Sequence, residues 1–126
     1  MAVPTQLASI AAWDDDEHVV ANRRLYQVKF DKVIPVLSDV LDIERPQGGF
    51  YLWTDVRGND EQFARRLFAE ANVTVLPGSY LARSHDGINP GAGRVRISLV
   101  PAVAQCVEAA ERIRALVSSA PARHFC

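Results

Sequence analysis

Hydrophobic positions along this chain switch between two periods, and the switches mark its elements. Val19, Tyr26, Phe30, Val33 and Leu37 recur at spacings of seven, four, three and four, the single stripe of a long amphipathic helix. Pro35 falls late in that stripe and predicts a kink or an early end, because it lacks the N–H the helix needs. Upstream, TQLASIAAWDDDEH reads as a small-residue helical piece followed by acids that cap and charge a helix start.

After this helix the period shortens. LDIERPQGGFYLWTDV predicts two short strands joined through Pro46 to Gly49, an antiparallel hairpin. Asn59 or Asp60 then caps a second helix that carries Phe63, Leu67 and Ala71 on one face. VTVLPG reads as a short strand stopped by Pro77 and Gly78, and a loop follows from Ser79 to Gly93. A loop of that length in a small domain is usually functional. In NPGAGRVRISLV, Val95, Ile97 and Leu99 point to one side of a strand and Arg94, Arg96 and Ser98 to the other. Pro101 opens a last helix with Val103, Val107, Ala110, Ile113 and Val117 turned inward. The fold class that follows is α+β: a small, largely antiparallel sheet with helices packed on one face.

Length and charge narrow the classes of function. The 126 residues fit one compact domain, and 48% apolar content is ordinary for a core. A net charge of −1 offers no general attraction to nucleic acid or to an anionic membrane. No apolar run is long enough to cross a bilayer, and MAVPTQLASIAAW lacks the basic start and apolar centre of a secretory signal. Cys106 and Cys126 do not make a disulfide framework, so a reduced, cytoplasmic setting is expected. Cys126 as the last residue suggests that the natural chain does not stop there. His18, His85 and His124 are scattered without metal-ligand spacing, so no metal is expected. Cys106 lies beside the apolar stripe of the last helix and reads as a small core residue. PGAG alone lacks the rest of a phosphate-binding loop. The chain has two lysines, Lys29 and Lys32, both read as lying on the polar side of the first long helix. Arg23, Arg24, Arg65 and Arg66 read as solvated helix-face residues.

Two arginines on one strand face, directly after a glycine-rich turn, pose the chemical question. Either the face looks into water, or a guanidinium is held out to an anion. A rigid strand would present Arg96 as a planar fork that pairs bidentately with a carboxylate, and the Ser79–Gly93 loop can close over such a ligand. Arg94, at the strand start, is the better candidate for facing solvent. On these residues alone, a stand-alone α+β module that binds a carboxylate without catalysis stays open beside an enzyme.

RPQGGFYLW, VTVLPGSYLAR, NPGAGRVRISLV and the final helix together resemble the C-terminal part of class I/II aminotransferases, the fold-type I enzymes dependent on pyridoxal phosphate. DDDEHVVANRRLYQVKF and GINPGAGRVRISLV look most like the N-succinyldiaminopimelate aminotransferases of lysine biosynthesis. The resemblance implies amino-group transfer between an amino acid, glutamate as donor, and a keto acid. It implies that Arg96 binds the substrate α-carboxylate and that Phe50 lies near the substrate. Residues 1–13 would be the tail of a large domain and 14–126 the small domain. The family's cofactor-bonding lysine, its phosphate-binding residues and its pyridine-pairing aspartate belong upstream of the part seen here. No catalytic or cofactor-binding residue is therefore assigned within this chain, and the chain alone is expected to be inactive. Relatives act as homodimers, which the resemblance implies for the intact protein too.

Overall fold

The computed structural model describes residues 1–119; His124 and Cys126 lie outside the described residues. Four helices and three strands follow in the order α1 (Val3–Asp14), α2 (Glu17–Ser38), β1 (Tyr51–Asp55), α3 (Asp60–Ala71), β2 (Leu76–Pro77), β3 (Arg94–Ser98) and α4 (Val103–Ser119). The sheet order is β1-β3-β2, with β3 central and antiparallel to both neighbours. This is the α+β arrangement that the periodicities predict.

Alternation along β1 and β3 decides where the core lies. Leu52 and Thr54 of β1, with Val95 and Ile97 of β3, face the helices and are buried. Against them pack Phe30, Val33 and Leu37 of α2, Phe63 and Leu67 of α3, and Cys106, Ala110 and Ile113 of α4. Thr54 is fully buried yet satisfied, since its hydroxyl donates to the Asp42 carbonyl at 2.9 Å. Deleting the side chain of Leu52 or Leu67 would cost about 2–5 kcal/mol, because neither site has an adjoining solvent face to collapse into.

Several local expectations change. Pro35 does not end its helix, which runs on to Ser38; one missing N–H near a C-terminus removes little, and the stripe on either side stays buried. The hairpin keeps only its second strand. Its first shrinks to one antiparallel bridge, Asp42 to Asp55, because Pro46 cannot donate to a ladder and Arg45 turns aside to pair with Asp31 of α2. The VTVLPG segment pairs only at Leu76 and Pro77. Its first N–H is taken by the preceding helix, where Val73 donates to the Leu67 carbonyl beyond the left-handed Asn72 cap. At the front of α3, Asn59 caps by accepting the Gln62 N–H at 2.8 Å.

Helix α1 is different in kind: it buries none of its residues. Val3, Leu7 and Ile10 form an apolar stripe at helical spacing, and Trp13 beside it is 84% exposed.

Candidate functional site on the open face of the sheet

The sheet's second face carries no helix, and alternation puts Tyr51, Trp53 and Asp55 of β1 beside Ser98, Arg96 and Arg94 of β3, in that register. Trp53 is directly opposite Arg96, and Leu76 of β2 flanks Arg96 on its other side. The Arg96 guanidinium carbon lies 5.7 Å from the centre of the Tyr51 ring, a cation–π distance. Among the described residues, Arg96 Nε is a buried side-chain nitrogen with no hydrogen-bond partner. An orphaned donor of that kind costs about 1–3 kcal/mol unless something accepts from it. The strand therefore offers a positioned, under-satisfied cation, the requirement for gripping an anion.

Phe50 sits just before β1 and is 45% exposed. Its ring meets Tyr51 edge-on at 5.7 Å and Tyr26 of α2 at 6.2 Å. Phe50 and Arg96, the two substrate-binding candidates, are thus joined through Tyr51. Arg94 is half-buried and lines a cleft of about 480 Å³ with Asp42, Glu44, Tyr51, Trp53 and Asp55.

The loop beside this face is held more tightly than its length implies. It begins as a 3₁₀ turn, Gly78–Tyr80, and turns back through a bridge between His85 and Ile88. One Asp60 oxygen accepts the Ser79 N–H at 2.9 Å and the other accepts the Gly93 N–H at 3.2 Å, so a single carboxylate ties both ends of the loop. Burial alone would raise the Asp60 pKa. The Ser79 hydroxyl and N–H and the Gly93 N–H outweigh that and hold it below the ordinary carboxylate value. At the same pinch, a Cβ on Gly78 would stand 2.7 Å from the Arg94 carbonyl and from the Trp53 ring, and closer still to the Gly91 carbonyl. Gly78 and Gly91 are glycines because two backbones cross there.

Lys29 corrects the sequence reading of its position. It is 2% exposed. Its ammonium donates to the Leu99 carbonyl at 2.8 Å and the Val100 carbonyl at 3.1 Å, and lies 4.5 Å from the centre of the Tyr26 ring. Position 29 borders the Tyr26–Phe30–Val33 stripe, and only the closing strand supplies the two acceptors that make burial affordable. Lys32 is exposed, as expected. Cys106 is core, as expected: burial raises its thiol pKa, with the Lys29 charge opposing weakly, and Sγ donates to the Pro101 carbonyl at 3.3 Å. A neutral, packed thiol is a poor nucleophile. Arg65 and Arg66 pair with Glu61 and Glu70 along α3. Among the described residues no group of three or more histidine, cysteine or acidic side chains is placed to hold a metal ion. No helix there is long and apolar enough to cross a membrane. Asp60, Tyr51, Trp53 and Lys29 were not singled out by the sequence as site-building residues; Trp53 and Tyr51 announce themselves only through strand alternation with Arg96.

Residues 2–113 match the family described as aminotransferase class I and II, and the chain belongs to that family. An aminotransferase structure from Neisseria meningitidis superposes with a TM-score of 0.87 at 54% identity, covering 93% of this chain and 30% of that one. The LL-diaminopimelate aminotransferase of Desulforudis audaxviator is 33% identical over 113 residues, 86% of this chain and 27% of its own length. A structure of a probable N-succinyldiaminopimelate aminotransferase from Thermus thermophilus gives a TM-score of 0.66 at 33% identity, over 80% of this chain and 26% of that one. The chain spans less than a third of the length of these relatives. Members of the family use pyridoxal phosphate. The residues of this chain do not fit its covalent attachment: the Lys29 ammonium is committed to two carbonyls beneath Tyr26, and Lys32 projects into solvent from α2.

Proposed function

We propose that residues 14–126 are the small domain of a pyridoxal-phosphate-dependent aminotransferase, residues 1–13 being the tail of its large domain. Amino transfer would run between an amino acid, glutamate as donor, and a keto acid, in an intact protein that is a homodimer. The Arg96 guanidinium on the open sheet face, opposite Trp53 and 5.7 Å from the centre of the Tyr51 ring, carries this reading. A carboxylate laid against the end of the guanidinium accepts from its two terminal nitrogens together, forming the bidentate pair a lysine cannot make. Tyr51 lies at a cation–π distance from the guanidinium, and Phe50 meets Tyr51 edge-on beside it. The likeness to the Desulforudis LL-diaminopimelate aminotransferase and the probable N-succinyldiaminopimelate aminotransferase of Thermus favours a diaminopimelate-type substrate and a place in lysine biosynthesis. When bound, the cofactor supplies the electron sink for amino transfer; this domain's share is to hold and orient the substrate carboxylate and to exclude water around it.

In the full-length enzyme, Arg96→Lys is expected to lower kcat/KM for the amino-acid substrate by about 100-fold, roughly 3 kcal/mol for a lost charge-assisted fork. Steady-state kinetics check this, and a variant with normal efficiency removes Arg96 from the site.

A further inference from the structure

Lys29 and Tyr26 lie outside the open face, yet both of its candidate substrate residues lead back to them. Lys29 donates to the Leu99 carbonyl, and the N–H of the same Leu99 donates to the Phe50 carbonyl at 2.8 Å. Lys29 also stacks on Tyr26, whose ring meets that of Phe50. Two routes therefore run from one buried ammonium to Phe50, one through backbone and one through rings. Leu99 directly follows β3, so the clamp also fixes the end of the strand that carries Arg96.

We infer that Lys29 and Tyr26 are positioning residues for the substrate site: the ammonium locks the Leu99–Phe50 junction, and through it the spacing between Phe50 and the guanidinium of Arg96. The inference rests on the carboxylate-binding reading above. A buried lysine that served stability alone would need acceptors but no particular ones. Here both acceptors are consecutive carbonyls at the exit of β3, and the ring covering it is the one that touches Phe50. Desolvation makes the arrangement stiff, because an ammonium without those carbonyls would be left buried and uncompensated.

The test uses the full-length enzyme with Lys29→Met, Arg96→Lys and the double variant, each first shown to be folded by thermal unfolding. Lys29→Met is expected to raise KM for the amino-acid substrate, and Kd for an unreactive dicarboxylate, by about 10-fold, with a smaller fall in kcat. In the Arg96→Lys background the same change is expected to add little, since a misplaced fork matters only while the fork exists. Unchanged KM and Kd in Lys29→Met, or a full additional loss in the double variant, would overturn the inference while leaving Arg96 in place. Normal behaviour of Arg96→Lys overturns the underlying reading and this inference with it. If Lys29→Met does not fold, Tyr26→Leu decides: a rise in KM that vanishes in a Phe50→Leu background supports the inference, and an unchanged KM overturns it.

Discussion

Asp60 shows how one side chain can set the order of a whole loop. Its carboxylate accepts from the N–H groups of Ser79 and Gly93, and its native pKa is lowered because those bonds are stronger to the anion than to the neutral acid. A lowered native pKa contributes stability that is complete above the ordinary carboxylate pKa and is lost as pH falls through the native one. Asp60→Asn, whose amide cannot accept on both sides, is expected to cost about 1–3 kcal/mol at neutral pH and less towards about pH 3. Denaturant unfolding across that range checks it; parallel pH profiles for the two proteins would contradict it. Gly91 makes the complementary case, in which absence of a side chain is the function. A Cβ there would run into the Gly78 backbone, and backbone cannot rotate away. Gly91→Ala is expected to destabilise by about 1–3 kcal/mol, read as a lowered unfolding midpoint with a raised protease sensitivity between residues 79 and 93.

At the scale of elements, the strands and helices differ in how far they depend on their neighbours. Helices α2, α3 and α4 each close an apolar stripe over the sheet, so their lengths follow from periodicity and caps. Strand β2 exists only where β3 lies beside it, which is why five residues of strand-like sequence produce a ladder of two. Helix α1 contributes no buried residue to this body. Leu7→Ser is therefore expected to leave the unfolding free energy of the chain within about 0.5 kcal/mol of its starting value. Equilibrium denaturation measures this, and a large loss would mean that α1 packs against the domain after all. An exposed apolar stripe on a helix that the domain does not cover fits its proposed place as the tail of a larger unit.

For the whole molecule, the chain has a core of its own and one open sheet face, while of its two lysines Lys29 is committed to backbone carbonyls and Lys32 projects into solvent from α2. The isolated chain is accordingly expected to show no aminotransferase turnover with pyridoxal phosphate, glutamate and a keto acid supplied. Turnover above a matched blank, with contaminating enzyme excluded, would refute that assignment of roles. Much of this architecture was legible beforehand, because burial on one face imposes a period on the chain: the α2 stripe from Tyr26 to Leu37, the alternation of β3 and the Asn59 cap are local statements, whereas the α4 stripe was read rightly at Ala110, Ile113 and Val117 but turns Cys106 rather than Val103 and Val107 into the core. The same alternation put Arg94 and Arg96 on one face, and the likeness of the motifs to an aminotransferase singled out Arg96. What stayed illegible depends on groups far apart in sequence. Lys29 reads as a surface lysine until the carbonyls of Leu99 and Val100 arrive, and Asp60 reads as a helix start until Ser79 and Gly93 close upon it. The first strand of the hairpin shrank to one bridge beside Pro46 and an arginine–aspartate pair with α2 that no local window contains. Sequence alone determined which faces are apolar, since that is a property of each residue and its neighbours along the chain. Tertiary structure decided which polar groups are buried, since a polar side chain can leave water only where the fold brings it a partner.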